Sequence, residues 1–345
     1  MKEVHATATT ILDELEKAIF GKRDTLELVV TCLLTEGHLL IEDVPGTGKT
    51  MLAKALARIF GGSFRRLQCT PDLLPADITG SNVFNQNSSE FEFHPGPAFT
   101  NILLADELNR ATPRAQAALL ECMAERQISV ENHTYELERP FFVIATQNPV
   151  EHEGTFDLPE AQLDRFLMRL GIGYPDEEAE DTMLVAIDNH DLLGAVDNVS
   201  SLQELIGMQE RSRGVHVHEV VRQYIIRVVA ATRESKDFAL GAGPRASIAL
   251  FRACQALAAI NGRSFVLPDD VKRLIPVVLP HRLILSTEGR LKRRGLLDAL
   301  QETIESVPAP VVGPEGVVQA AAGAPSDKAG DDAEAPDALA AGKAR

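Results

Sequence analysis

The sequence predicts a doubly wound α/β fold with a parallel sheet, followed by a smaller all-α domain. Apolar runs of strand length alternate with amphipathic helical patterns in the first half of the chain. After Pro175 the helical spacing continues and we expect no further strands. With 345 residues, 45% of them hydrophobic, the chain is long enough to bury a large core and a second, smaller one.

Strand-length and helix-length patterns alternate from the start of the chain. Apolar residues at helical spacing over residues 9–35, interrupted at Gly21, predict two helices. Short apolar runs bounded by turn residues then predict buried parallel strands, each close to an amphipathic helix or a loop. The predicted strands are residues 38–42, 101–106 and 141–146, and the helices that follow the first two are residues 50–60 and 113–125.

Two polar segments with alternating apolar residues, 83–93 and 127–137, predict β-hairpins that project from the sheet. The chain should therefore divide into an α/β domain at 1–175, a helical domain at 176–307 and a disordered tail at 308–345. The tail is rich in Ala, Pro, Gly, Asp and Glu, and it has too few large apolar residues to offset the entropy lost on folding. Helical spacing in the second domain covers residues 177–187, 217–233, 245–260 and 269–278.

Charge and cysteine usage exclude several classes of function. The formal net charge of −16 disfavours a nucleic-acid binder, which normally presents a basic surface to the phosphate backbone. One basic run is present, Lys292 to Arg294, and it is typical of a solvated helix face. The four cysteines, Cys32, Cys69, Cys122 and Cys254, form no C-x-x-C pair, so we expect reduced thiols and neither a zinc site nor a disulfide framework.

The chain shows no pattern of export or membrane insertion. The first twenty residues carry acidic side chains and no unbroken apolar core, unlike a signal peptide. No apolar stretch reaches the roughly eighteen residues that a membrane-spanning helix needs. We therefore expect a soluble, cytoplasmic protein.

A phosphate-binding loop follows the first predicted strand. Its backbone N–H groups can surround the β- and γ-phosphates of a nucleotide, the next helix offers its positive end, and a lysine adds a cation. The Thr50 hydroxyl can ligate Mg²⁺. Asp43 stands where the usual pattern has its first glycine. The predicted ATP-binding residues of this loop are Val44, Pro45, Gly46, Thr47, Gly48, Lys49 and Thr50.

The second predicted strand ends in two carboxylates, Asp106 and Glu107. Such a strand is commonplace by itself, but downstream of a phosphate loop it is typical of a magnesium-dependent nucleotide hydrolase. Asp106 would support the metal, and Glu107 would orient and activate the attacking water. The third strand is followed by Asn148, whose amide could hydrogen-bond the γ-phosphate or that water, although Asn before Pro is also common in turns.

Two arginines near predicted helix boundaries, Arg165 and Arg245, could spread positive charge over the transferring phosphoryl group. Each could instead be a salt-bridged surface residue.

Taken together, these motifs resemble the MoxR family of AAA+ ATPases over residues 12–304. The resemblance rests on residues 41–50 (Ile-Glu-Asp-Val-Pro-Gly-Thr-Gly-Lys-Thr), 104–111 (Leu-Ala-Asp-Glu-Leu-Asn-Arg-Ala) and 158–166 (Leu-Pro-Glu-Ala-Gln-Leu-Asp-Arg-Phe). Residues 243–246 and 281–283 extend it into the helical domain. Leu108 and Lys22 are small departures from the residues usual in the family.

The resemblance implies an ATP-hydrolysing, chaperone-like protein that works as a ring of identical subunits, most often a hexamer. It makes Asn148 sensor 1, Arg165 the arginine finger and Arg245 sensor 2, with Arg169 and Arg110 as alternative fingers. The two hairpins would match the helix-2 and pre-sensor-1 inserts near the pore of such rings. Family members commonly act with a protein that contains a von Willebrand factor A domain, and together they mature a client that no residue here identifies.

Three alternatives remain open from the sequence. The chain could be a motor subunit similar to that of magnesium chelatase, or an ATP-gated scaffold that hydrolyses ATP too slowly to do work. Glu107 argues against the scaffold. A DNA helicase is disfavoured by the acidic charge and by the lack of a nucleic-acid-binding module.

Overall fold

The computed structural model describes residues 1–87, 89–131, 133–149, 154–189, 191–291, 295–312 and 318–319. The strands are β1 (Leu39–Glu42), β2 (Phe64–Gln68), β3 (Gly80–Asn85), β4 (Glu90–Pro95), β5 (Ile102–Asp106), β6 (Gln127–Val130), β7 (His133–Glu136), β8 (Phe142–Gln147), β9 (Met168–Leu170), β10 (Phe238–Leu240), β11 (Ile284–Leu285), β12 (Val311–Val312) and β13 (Val318–Gln319).

The helices of the α/β part are α1 (Lys2–Glu16), α2 (Arg23–Leu34), α3 (Lys49–Ile59), α4 (Pro75–Thr79), α5 (Pro113–Glu125) and α6 (Glu160–Leu163). Those of the helical part are α7 (Glu177–Asn189), α8 (Leu202–Ser212), α9 (Glu219–Glu234), α10 (Pro244–Ile260), α11 (Pro268–Val278), α12 (Thr287–Leu291) and α13 (Leu296–Glu305). None of these helices is long and apolar enough to cross a membrane.

A five-stranded parallel sheet with the order β2-β5-β8-β1-β9 forms the centre of the α/β part, which confirms the predicted fold class. The three predicted strands, β1, β5 and β8, lie side by side in its middle. The two edge strands were not predicted, because exposed Arg65 and Arg66 interrupt the apolar pattern of β2 and β9 has only three residues. An edge strand needs less apolar surface than a central one, so its sequence signal is weaker.

The central strands are buried on both faces, and alternate side chains enter different apolar clusters. On β1, Leu39 and Ile41 join the cluster that contains residues of α1, α2, α3 and most of the helical part. Leu40 lies on the opposite face with apolar residues of α4 and α5. The carboxyl ends of β1, β5 and β8 consequently lie together at one edge of the sheet.

Both predicted hairpins are present as antiparallel pairs, β3 with β4 and β6 with β7. They contact each other through Phe93, whose ring stacks on Tyr135 at a centroid distance of 4.1 Å. Farther out, Phe84 and Phe91 are exposed and pack edge to face at 5.3 Å. The second hairpin therefore packs against the first.

The helical part contains a feature that the sequence did not predict. Strands β10 and β11 form a short antiparallel ladder, so the expectation that strands end at Pro175 was wrong in this detail. Each strand has at most three residues, too few for a period-2 pattern to be recognised.

Two other predictions concern residues that the structure does not describe. Most of the predicted tail, residues 313–317 and 320–345, is not described, and in the part of the tail that is described β12 pairs with β13. The basic run Lys292 to Arg294 also lies outside the described residues.

The four cysteines are all buried as free thiols. Burial raises the pKa of Cys69 and of Cys122 to about 12.

Candidate functional site

The phosphate loop joins the end of β1 to the start of α3. Gly46 and Gly48 adopt φ values of +89° and +86°, which residues with a Cβ rarely adopt. A Cβ at Gly48 would also lie 3.0 Å from the Cδ1 of Ile19. Because Gly48 caps α3, the free N–H groups of the first helical turn face the loop, as an anion-binding site requires.

Lys49 folds back over the loop. Its Nζ donates hydrogen bonds to the main-chain oxygens of Val44, at 2.6 Å, and Asp43, at 3.1 Å. Both are neutral acceptors that an anionic phosphate oxygen would outcompete, because hydrogen bonds between two charged groups are the stronger ones. The lysine is thus held within the loop at the place where phosphate would bind.

Asp106 ends β5 and is held from both neighbouring strands. Its Oδ1 accepts a hydrogen bond from the Thr146 hydroxyl of β8 at 2.7 Å. Its Oδ2 accepts two from the Arg66 guanidinium of β2, from Nε at 3.1 Å and from Nη2 at 2.6 Å. The carboxylate is therefore fixed in orientation and partly neutralised.

Glu107 follows with a φ of +57°, a conformation that costs energy for a residue other than glycine and often occurs at functional sites. Its main-chain N–H donates to the Thr146 hydroxyl at 2.8 Å. Its side-chain Oε2 accepts from Gln68 Nε2 at 2.9 Å and from Arg110 Nη1 at 3.0 Å. The Glu107 carboxylate is thus held by a side chain of β2 and by one from the turn that follows β5.

These groups surround one cleft of about 500 Å³ at the carboxyl edge of the sheet. Ligands of open α/β sheets bind at this edge, and the volume is in the range of small-molecule sites. Among the sequence-predicted residues, the cleft brings together Pro45, Gly46, Gly48, Lys49, Thr50, Asp106, Glu107 and Asn148. Residues that the sequence analysis did not single out also line it: Met51, Lys54, Arg66, Thr146 and Gln147.

The donor atoms of the cleft fit Mg²⁺. Thr50 offers a hydroxyl and Asp106 a carboxylate, and hard oxygen ligands of this kind suit that ion. Among the described residues, no group of three or more His, Cys, Asp or Glu side chains could form a complete protein cage for a metal. Mg²⁺ typically takes one or two protein oxygens and completes its shell with phosphate oxygens and water.

Arg165 and Arg245 do not line this cleft. Arg165 donates to the main-chain oxygen of Leu120 on α5. Arg245, with 72% of its side chain exposed, lies 3.7 Å from Oδ2 of Asp164. Arg165 follows Asp164 in the chain and Arg245 lies beside the Asp164 carboxylate, and neither arginine lines the nucleotide pocket of its own chain.

Asp164 also anchors this surface to the helical part. Its Oδ1 accepts a hydrogen bond at 2.8 Å from Nε of Arg282, which is buried and donates to the Phe166 main-chain oxygen as well. Burial and the neighbouring guanidinium of Arg282 keep the pKa of His281 well below its usual value, so the imidazole is neutral at pH 7. The alternative finger residues have other partners: Arg169 lies 3.4 Å from Glu42, and Arg110 contacts Glu107.

Comparison with known proteins decides what this architecture is. The family described as "ATPase family associated with various cellular activities (AAA)" matches residues 38–168, and the AAA lid domain matches residues 230–303. Chaperone MoxR1 of Mycobacterium tuberculosis is 41% identical over 296 residues, which cover 83% of this chain and 78% of that protein. The chain belongs to the MoxR family of AAA+ ATPases.

Two further proteins are similar to this chain over most of its length. The uncharacterized protein YeaC of Bacillus subtilis is 42% identical over 310 residues, covering 90% of this chain and 97% of YeaC. The crystal structure of a protein assigned as an ATPase from Cytophaga hutchinsonii superposes with a TM-score of 0.83 at 36% identity, covering 89% of this chain and 96% of that one. This MoxR-family chain is therefore a chaperone-like ATPase that binds and hydrolyses a nucleotide.

Proposed function

We propose that this ATPase works as a hexameric ring. The ring would hydrolyse ATP with Mg²⁺ to remodel or mature a partner protein. The observation that supports it most strongly is the position of Arg165 and Arg245. Both lie outside the cleft that holds Lys49 and Glu107 of the same chain, so these two arginines would act on the phosphates bound by a neighbouring subunit.

Within the cleft, the N–H groups of residues 44–50 and the Lys49 ammonium would bind the phosphates. Thr50 and Asp106 would hold Mg²⁺, which lowers the charge on the phosphate oxygens when bound. Asn148 would report on the γ-phosphate as sensor 1, and Glu107 would orient the attacking water. Because Gln68 and Arg110 both donate to Oε2 of Glu107, the other carboxylate oxygen, Oε1, would be the one that accepts a proton from water.

On the neighbouring subunit, Arg165 would act as the arginine finger and Arg245 as sensor 2. Arg110 is a weaker choice of finger because it already contacts Glu107 of its own chain.

This proposal also includes the domain limits 1–175, 176–307 and 308–345. It further includes the cytoplasmic location and the position of the hairpins near the pore. The proposal of a partner protein with a von Willebrand factor A domain rests on family resemblance alone. Similarity to MoxR proteins over most of the chain favours this function over a magnesium-chelatase-like motor.

Mixing two inactive variants tests the shared active site. Glu107→Gln should keep ATP bound but lower turnover by about 10²-fold or more, because the amide cannot take a proton from water. Arg165→Ala should leave binding nearly intact and lower turnover by about 10³-fold. In mixed rings, some interfaces combine an intact Glu107 with an intact Arg165 from the next subunit, so turnover should partly return.

Arg110→Ala provides the matched control for the mixing experiment. If Arg110 acts on Glu107 of its own chain, every site with an intact Glu107 lacks that arginine, and mixing with Glu107→Gln restores nothing. Turnover should also rise with protein concentration and then saturate, and light scattering should show a particle of six subunits. If the Arg165→Ala mixture stays inactive while scattering shows mixed rings, Arg165 does not act between subunits.

A further inference from the structure

The first residue of the phosphate loop carries a buried carboxylate. Asp43 is 8% exposed, and its Oδ1 accepts the N–H of Val44 at 2.9 Å. Its Oδ2 accepts the N–H groups of Ile172 and Gly173 at 2.9 Å and 2.7 Å. One side chain thus joins the phosphate loop to a segment 129 positions later in the chain, through hydrogen bonds strengthened by charge and burial.

That distant segment, residues 171–176, connects the sheet to the helical part, because it runs from the end of β9 to the start of α7. Its backbone lies close to β1: a Cβ on Gly171 would come within 3.2 Å of the Glu42 main-chain oxygen. Lys22, in the turn between α1 and α2, donates to the Tyr174 main-chain oxygen at 2.6 Å. The connector is therefore held at two places, one of them the phosphate loop itself.

The main chain of Asp43 also contacts the residue that binds phosphate. Its carbonyl oxygen accepts the 3.1 Å hydrogen bond from Lys49 Nζ. Phosphate oxygens compete with this carbonyl oxygen for the three N–H donors of Lys49, so we expect the surroundings of Asp43 to differ between the free and the nucleotide-bound loop. The chain of contacts runs from phosphate to Lys49, to the main chain of Asp43, to its carboxylate and to the connector.

Phosphate binding alone does not call for a carboxylate at this position, since the usual loop pattern has glycine there. We propose that Asp43 is a positioning residue that couples occupancy of the phosphate loop to the connector at 171–176, and through it to the orientation of the helical part. The helical part carries Arg245, so this coupling controls the position of Arg245 relative to the nucleotide of the neighbouring subunit. The inference rests on ATP binding in the cleft and is independent of any client or partner protein.

The test uses Asp43→Gly, which restores the usual loop residue, and Asp43→Asn, which keeps the side-chain shape but replaces one acceptor oxygen with a donor. Affinity for ATPγS should stay within about threefold, because the N–H groups of the loop remain. The kcat should fall by about tenfold or more, since small misplacements of reacting groups are costly. In hydrogen–deuterium exchange, ATPγS should change the protection of residues 171–176 and α7 in the unaltered protein and not in the variants.

Asp298→Asn is the matched control. Asp298 Oδ2 also accepts a backbone N–H, that of Gly295 at 3.1 Å, but at the exposed start of α13 outside the cleft. It should change neither kcat nor the exchange response. Should Asp43→Gly not fold, Asp43→Asn carries the same test.

Three outcomes would overturn the coupling. Wild-type kcat with a normal exchange response would make the carboxylate dispensable. Affinity for ATPγS reduced by more than about thirtyfold would mean that Asp43 shapes the phosphate loop itself. A reduced kcat with an unchanged exchange response would place its effect elsewhere than in the connector.

Discussion

The two walls of the nucleotide cleft contrast in how the chain supplies them. One wall is a continuous segment, residues 44–50, whose shape follows from two glycines and the helix start behind them. The other is assembled from three strands: Arg66 and Gln68 on β2, Asp106 at the end of β5 with Glu107 just after it, and Thr146 on β8. The first wall depends on local backbone conformation, whereas the second depends on strand order in the sheet.

This contrast teaches where a single substitution should act. In the continuous wall, one side chain meets the ligand directly and its neighbours in sequence hold it. In the assembled wall, each carboxylate is oriented by residues roughly forty positions away, so changes at those positions alter the chemistry without touching the phosphate loop.

The largest effect is expected in the continuous wall. Lys49→Ala removes the cation of the loop and should weaken ATPγS binding by about 10²-fold or more, because charge-assisted hydrogen bonds to the phosphates are lost. Lys54→Ala is the control, because Lys54 lies later on the same helix, also lines the cleft and is exposed. It should change the affinity by less than about threefold in the same fluorescence titration. An equal loss of ATPγS affinity in both variants would show that binding depends only on the overall charge of the cleft and not on the position of Lys49.

A smaller effect should distinguish the assembled wall. Arg66 and a divalent cation compete for the same Asp106 carboxylate, so Arg66→Ala should tighten Mn²⁺ binding to the ATPγS-loaded protein by about threefold to tenfold. Electron paramagnetic resonance of Mn²⁺ measures this without catalysis. Arg65→Ala is the matched control, since neighbouring side chains on a strand point to opposite faces. Weaker Mn²⁺ binding in Arg66→Ala would mean that Arg66 builds the metal site instead of competing for it.

The smallest effect concerns the sheet beneath the cleft. His38 is buried just before β1; its Nδ1 accepts the N–H of Val143 on β8, and Nε2 can donate to the Met123 main-chain oxygen. Burial lowers its pKa to about 4. Because the unfolded chain binds the proton near pH 6.5 and the folded chain only near pH 4, the contribution of neutral His38 to stability is complete above pH 6.5 and is lost as the pH falls from there towards 4.

Denaturant unfolding at pH 7.0 and 5.5 measures this loss. The free energy of unfolding should fall by about 1 kcal/mol more in the unaltered protein than in His38→Gln, whose amide does not titrate. His281, which is also buried with a lowered pKa, remains in both proteins and cancels from the comparison. An identical pH dependence in the two proteins would show that folding does not lower the pKa of His38.

Local patterns in the sequence determined much of the fold and one wall of the site. The predicted strands 38–42, 101–106 and 141–146 correspond to β1, β5 and β8 within one residue at each end, and helix 113–125 is reproduced without a shift. Their signals are local: apolar runs, turn residues and the glycines of the phosphate loop act over a few positions. The acidic pair at the end of β5 was equally visible, because a carboxylate after a buried strand stands out in the sequence alone.

Tertiary structure alone decided which residues meet. Arg66 and Gln68 lie on an edge strand without a clear pattern, and only its pairing with β5 brings them to Asp106 and Glu107. The same holds for the contact of Asp43 with the connector after β9 and for the position of Arg165 and Arg245 outside the cleft. Such contacts depend on strand order and on the closing of long loops, whose free energy is set by burial of the whole core and not by the propensities of neighbouring residues.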